Sequence, residues 1–243
     1  MSGGAYIALS GLRTRAEQLD RLAADIANVN TAGYKSERVT TTAVERPNFD
    51  KALQSAIDVA PAPGFLDFRN GSIENTGRDL DLAIDGRGFF VVDTPNGPRY
   101  TRAGQFSRRA DGVLTTADGL VLQGDNNTPV RLQTTGQVAV EPDGTIRSGA
   151  TVAGKLRIVD FDDYAVLGRE DGTKFRAQAG ATPTVVSPTT RIRGGALEQS
   201  NVTMVERMAY MTEVYRSFEA LQKGVSVLMN DIDLRAINEL GKK

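Results

Sequence analysis

The sequence predicts an α+β protein in which long N- and C-terminal helices form an antiparallel coiled-coil-like hairpin and a central antiparallel β domain lies between them. Three observations carry this. Apolar residues recur at alternating steps of four and three at both ends of the chain, as on one face of a helix. Seven Asn-Gly or Asp-Gly pairs, at Asn70, Asp85, Asn96, Asp111, Asp118, Asp143 and Asp171, punctuate the middle. Short apolar runs such as Leu80–Ile84, Phe89–Val92, Leu120–Leu122 and Leu156–Phe161 lie between those pairs.

The first segment, residues 1–36, is read as an assembly helix with its exit. From Ala5 the stepping gives Leu9, Leu12, Ala16, Leu19, Ala23 and Ile26, an apolar seam that reaches Asn30. Glu17 and Arg21 are spaced for an i,i+4 ion pair on the polar side, and Gly11, Ala24 and Ala27 leave room for close neighbours. The helix is expected to stop in Asn28-Val29-Asn30-Thr31-Ala32-Gly33, because Asn tolerates and Gly readily accepts the left-handed backbone that ends a helix. Tyr34 and Lys35 are then expected to begin an extended arm.

Residues 37–70 are a connector, with Phe49, Leu53 and Ile57 at the spacing of a short helix before Pro61 and Pro63 break it. Residues 71–190 form the β domain, since Asn-Gly and Asp-Gly take the positive φ of tight hairpin turns. The stretch Gly180–Gly195, with Pro183, Pro188 and Gly194-Gly195, reads as a second hinge or arm. Residues 191–243 add the C-terminal assembly helix. Its seam runs Met204, Met208, Met211, Tyr215, Phe218, Gln222, Val225, Met229, Ile232 and Ala236, and Thr203 with Glu206 reads as a capping box.

Composition narrows the function. Across 243 residues, 29 basic side chains face 30 acidic ones, so net charge gives no reason to expect a nucleic acid or an anionic membrane surface as partner. His, Cys and Trp are absent. This excludes Ser-His-Asp and Cys-His catalysis and zinc sites built from His or Cys. No enzyme activity, cofactor or metal is expected. The N-terminus has no basic region ahead of an apolar one and no apolar run long enough to span a bilayer, so neither a cleaved signal peptide nor direct membrane insertion is expected.

Local motifs fare no better. Gly86-Arg87-Gly88 lacks the third glycine of a dinucleotide fingerprint and leads into a strand, so it reads as a hairpin turn. Asp79, Asp81 and Asp85 resemble a calcium loop, but Ala83 stands where an oxygen ligand belongs. Asp160, Asp162 and Asp163 read as a strand-end turn, Arg108-Arg109 as a solvated loop, and the Met204–Met211 stripe as helix packing.

Three blocks carry a family resemblance. Ser10-Gly11-Leu12 with "DIANVNTAGYK", then "GSIENTGRDLDLAIDGRGFFVV" with "YTRAGQF", then "IRGGALEQSNV" together resemble the bacterial flagellar rod and hook family of axial proteins. Asp25, Ala32, Tyr34 and Gly194 depart from its pattern. The resemblance implies a structural subunit of the basal-body rod, proximal or alternatively distal, which stacks helically with copies of itself and other rod subunits to carry torque across the periplasm. It also implies delivery by the flagellar type III export apparatus.

Elementary polymer physics points the same way. A pair of narrow-seamed helices has too little core to stand alone and needs neighbours, and a self-repeating heterologous interface builds an open helical polymer. The residues expected at the assembly interface are Leu9, Leu12, Leu19, Ile26, Met208, Tyr215, Phe218 and Val225, with Asn28, Asn30 and Gly33 setting the helix exit. A secreted β-rich binding module would leave both terminal helices without a role, and a carboxylate-based enzyme would require a deep pocket around strongly perturbed acids.

Overall fold

Phe89-Phe90-Val91-Val92 breaks the apolar-polar alternation of a one-sided strand, so it should be covered on both faces. A computed structural model describes residues 2–38, 65–133, 138–149 and 151–240, with side chains for 9–37, 65–133, 138–149 and 151–227, and it shows this arrangement. Phe90 and Val92 enter one core with Leu82, Ile84, Phe106, Leu114, Leu122, Ile146, Leu156 and Ile192. Phe89 and Val91 enter a second with Phe68, Tyr100, Val159, Phe161, Leu167 and Phe175. Each buried Phe contributes about 1.5–3 kcal/mol from removal of apolar surface alone. Edge-to-face rings add to both cores, with centroids 5.3 Å apart for Phe90 and Phe106 and 5.3 Å for Phe68 and Phe89.

In chain order the elements begin with α1 (Ser2–Ala27), β1 (Glu37–Arg38), β2 (Phe65–Leu66), β3 (Ile73–Asn75), β4 (Leu82–Asp85), β5 (Phe89–Thr94) and β6 (Gly97–Thr101). There follow β7 (Phe106–Arg108), β8 (Leu114–Thr116), β9 (Val121–Leu122), β10 (Val138–Val140), β11 (Thr145–Ser148), β12 (Thr151–Lys155) and β13 (Ile158–Asp160). The chain closes with β14 (Leu167–Asp171), β15 (Lys174–Ala177), β16 (Thr184–Val185), β17 (Arg191–Gly194), β18 (Ala196–Glu198) and α2 (Met204–Leu240).

The largest sheet runs β14-β15-β6-β5-β9-β8-β7, with β13 also on β5 and β16 on β13. Strand β5 is therefore interior, which is why its apolar run is continuous. A three-stranded sheet β10-β11-β12 brings Ile146 into the first core, and the ribbons β17-β4 and β18-β3 complete the β structure.

Asn96-Gly97, Asp111-Gly112, Asp118-Gly119, Asp143-Gly144 and Asp171-Gly172 lie at hairpin turns, each glycine at positive φ. Asn70-Gly71 and Asp85-Gly86 do not, and Gly71 lies between β2 and β3, which do not pair. Strand β4 pairs with β17, not with β5, so the Gly86–Gly88 stretch carries the chain from one sheet to another. The expected arm at Gly180–Gly195 is also corrected. Thr184–Val185 pairs with β13, and Arg191–Gly194 pairs with β4 because Ile192 is buried in the first core. The expected short helix at Phe49, Leu53 and Ile57 lies outside the described residues.

By compactness the chain divides into two units. One comprises Met1–Ala27, Glu37–Phe65 and Thr203–Lys243, the other Asn28–Ser36 and Leu66–Val202. Asn28–Ser36 thus counts with the β structure and not with the helix that precedes it.

The α+β class holds, but the coiled-coil-like hairpin is overturned. Such a seam needs apolar side chains buried at every a and d position. Leu9, Ala23, Met208 and Tyr215, which belong to the expected seams, are exposed. Among its described side chains, those α1 buries are Gln18, Leu22 and Asp25, one residue round from Leu19, Ala23 and Ile26. On α2 the fully buried residue among the described side chains is Val214, beside Tyr215. The helices meet through a mixed stripe: Arg207 Nε lies 3.2 Å from Asp25 Oδ2, and a Cβ at Gly11 would lie 3.7 Å from Leu221 Cδ1. Paired charges and a polar amide in the buried stripe replace the knobs of a coiled coil. Glu17 likewise pairs with Arg13 at 3.1 Å, and Arg21 with Glu37 at 3.6 Å.

Candidate functional site

The helix exit expected from the sequence is a short turn held by its own side chains. Asn28 O accepts from Thr31 N at 3.1 Å, Thr31 Oγ1 donates to Asn28 Oδ1 at 3.0 Å, and Thr31 O accepts from Tyr34 N at 3.2 Å. Asn28 is half-buried and Asn30 exposed, while Gly33 is buried with φ +70°. A Cβ at Gly33 would stand 2.2 Å from Ala103 N and 2.3 Å from Arg102 C. Glycine is required here twice over, for conformation and for space.

Tyr34 and Lys35 do not begin an arm. They are 3% and 0% exposed, because each has a partner far along the chain. The Arg169 guanidinium lies 4.4 Å from the centroid of the Tyr34 ring and donates through Nη2 to Lys35 O. Lys35 Nζ donates to Glu198 Oε1 at 2.5 Å and to Arg69 O at 2.8 Å.

Glu198 is the hub. Its Oε1 also accepts from Gly71 N at 3.0 Å, its Oε2 from Arg102 Nη1 at 3.1 Å, and its backbone carbonyl from Gly33 N at 2.7 Å. Arg102 spends its remaining reach on Ile84 O and Gly86 O. The three side chains are 2% exposed or less, so their desolvation is met by ion pairing and by hydrogen bonds with the backbone, while the buried Arg102 Nε has no hydrogen-bond partner among the described residues. Burial pushes the Lys35 ammonium below the ordinary lysine value, and the adjacent Glu198 carboxylate opposes that push.

Asn201 completes the arrangement. Its Oδ1 accepts from Ser36 N at 2.7 Å, its Nδ2 donates to Asp67 O at 2.6 Å, and its own N donates to Tyr34 O at 3.3 Å. The segment that leaves α1 and the segment that leads into α2 are therefore bonded to one another inside the β unit. Chemically the cluster immobilises charge and presents none of it to solvent, which suits a joint and not a reaction centre. The acids with ligand-like spacing are engaged elsewhere: Asp85 with Arg193 at 2.5 Å, and Asp160 with Arg87 at 3.0 Å and Tyr164 Oη at 2.8 Å.

Of the residues expected at an interface, Leu9, Met208 and Tyr215 are exposed, while Leu12, Leu19, Ile26, Phe218 and Val225 are half-buried. Met204, Val205, Tyr210 and Val227 extend the exposed apolar surface of α2. Sequence reasoning does not single out Lys35, Arg102, Glu198 or Asn201 as a group. The available signal is that each sits inside one of the three blocks that carry the family resemblance, three of them as charges among apolar or small residues.

Comparison with known proteins agrees with this layout. Three family models match in chain order: "Flagella basal body rod protein" over residues 6–35, "Flagellar hook protein FlgE/F/G D1 domain" over 83–148, and "Flagellar basal body rod FlgEFG protein C-terminal" over 193–230. The chain is 32% identical to the flagellar basal-body rod protein FlgF of Caulobacter vibrioides, covering 100% of this chain and 99% of that one. It is 31% identical to FlgF of Rhizobium meliloti, covering 99% of each, and 29% identical to the rod protein FlgG of Bacillus subtilis, covering 90% of this chain and 92% of that one. With similarity of this extent along its whole length, the chain belongs to the family of flagellar basal-body rod proteins.

Proposed function

We propose that the chain is a structural subunit of the flagellar basal-body rod that polymerises helically through its terminal helices. The family is structural, not enzymatic. The observation that carries the mode of assembly is the apolar surface the helices leave uncovered, with Leu9 61%, Met208 45%, Tyr215 52% and Val227 67% exposed. Large apolar side chains left exposed on these helices are the natural candidates for a contact with a neighbour. A contact repeated heterologously between copies gives a filament. Leu12, Leu19, Ile26, Phe218 and Val225 would flank that contact, and Asn28, Asn30 and Gly33 would form the helix exit.

The somewhat higher identity to FlgF relatives, 32% and 31% against 29% for the FlgG of Bacillus subtilis, favours a subunit of the proximal rod, with the distal rod as the alternative. Other rod subunits are the partners this reading implies, and the flagellar type III apparatus is the export route. No described helix is long and apolar enough to cross a membrane. The test is Tyr215→Asp, which puts a carboxylate where a neighbour should bury a ring, at a cost on the order of several kcal/mol if it is desolvated there. The variant should be exported and fold normally yet fail to enter basal bodies, with loss of motility. Normal incorporation would remove α2 from the interface.

A further inference from the structure

The two apolar cores of the β unit are built without any residue of Asn28–Ser36. That segment is nonetheless buried from Ala32 to Ser36. What seats it is a set of polar contacts: Gly33 N on Glu198 O, Ser36 N on Asn201 Oδ1, Ser36 O accepting from Asp67 N, Arg169 on Tyr34 and Lys35, and the Lys35–Glu198 pair. We infer that residues 28–36 form a strap that docks on the β unit and leaves it as one cooperative piece while both cores stay closed, and that its seat is conditional on the Glu198 carboxylate.

The contacts around the carboxylate are asymmetric. Glu198 and Arg102 belong to the β structure whether or not the strap is seated, and Arg102 retains the carbonyls of Ile84 and Gly86 when it is not. Lys35 has no such alternative. It enters the interior with its charge, received at hydrogen-bond distance by Glu198 and the carbonyl of Arg69, with a weaker attraction from the Asp67 carboxylate. With a carboxylate present, burial is compensated. With a neutral amide in its place, the ammonium would remain desolvated with its main partner lost, and water would be the better environment. Local opening of this kind divides a protein into units of unequal stability.

The device gives the chain two states before assembly. The β unit is folded in both, and residues 28–36 are seated in one and undocked in the other. Because Glu198 lies 163 residues beyond Lys35, the strap can seat only once distant segments of the β unit have come together.

The test is amide hydrogen exchange on the full-length chain and on Glu198→Gln, which keeps size and shape. In Glu198→Gln, peptides covering 28–36 should exchange about tenfold faster or more, while peptides covering Phe89–Val92 and Phe175 remain as protected as in the wild type. Unchanged exchange in 28–36 would overturn the role of Glu198. Equal acceleration in strap and core would overturn the separability of the strap. If the variant does not fold, the wild type alone decides: Gly33 and Ser36 amides must open more readily than those of β5, and a shared opening free energy would contradict the inference.

Discussion

Gly104→Ala should destabilise the β unit more than alanine at any other of its described glycines. A Cβ at Gly104 would lie 1.6 Å from Leu82 O and 2.7 Å from Leu82 C. The obstruction is backbone, so no side chain can swing away. Leu82 itself is fixed, because its N donates to Gly104 O at 3.0 Å, it pairs with Gly194, and its side chain is in the first core. Relief therefore requires separating the segment Ala103–Gln105 from β4, at a cost on the order of 4 kcal/mol, as for severe overpacking. At about 2–4 °C per kcal/mol for a domain of this size, the melting midpoint should fall by roughly 10 °C. Gly168→Ala is the control, since Gly168 has nothing within 4 Å of the added carbon, and it should shift stability by less than about 0.5 kcal/mol. Equal melting of the two variants would show that the Leu82–Gly104 approach is not a feature of the folded protein.

Gly33→Val should expel the strap. Its φ of +70° alone costs a β-branched residue at least about 1 kcal/mol, and the collision with Ala103 N at 2.2 Å adds a steric term that no rotamer avoids. The loss is capped by the free energy that seats residues 28–36, because the chain escapes the clash by undocking them. Tyr34, 3% exposed in the seated state, then becomes accessible. Chymotrypsin should cut after Tyr34 in the variant under conditions that leave the wild type intact, with the fragment beginning at Lys35 retaining the β fold. Protection of Tyr34 in Gly33→Val would mean that the turn accommodates a side chain and that the packing described against Ala103 is absent.

Much of this fold is legible in the sequence because its signals are local. Asp118-Gly119 predicts a hairpin from two residues, and Phe89-Phe90-Val91-Val92 predicts a strand from four. The start of α2 at Met204, directly after Thr203, follows from a capping pattern of similar length. The buried helix stripe is not legible, for a physical reason. A rule that counts apolar residues selects Leu19, Ala23 and Ile26, whereas the helix buries Gln18, Leu22 and Asp25. Gln18 and Asp25 are tolerated there because Arg15 and Arg207 satisfy them, at 2.8 Å and 3.2 Å. Small residues such as Ala23 leave too little contrast to fix the rotation of the stripe.

The strap is hidden for a related reason. Gly33 correctly announces a change of direction, but whether the chain then turns outward or inward depends on what receives Lys35. Its receptor, Glu198, is separated from it by 163 residues, and no periodicity connects them. Arg102 and Asn201 are equally hidden, since a charge or an amide reads as surface until its partner is known. The Gly180–Gly195 stretch reads as an arm because its prolines and glycines outweigh the isolated Ile192, which in the fold belongs to a core.

The central claim, that this chain is a rod subunit, is tested most directly by locating it in purified basal bodies. A short epitope inserted at the exposed Asp118-Gly119 turn, where a Cβ at Gly119 would meet nothing within 4 Å, should leave the fold intact. Immunogold electron microscopy should then place the label along the rod, and the same label on a Tyr215→Asp chain should be missing from it. Basal bodies with complete rods that carry no label, from cells that express and export the tagged chain and swim normally, would contradict the account.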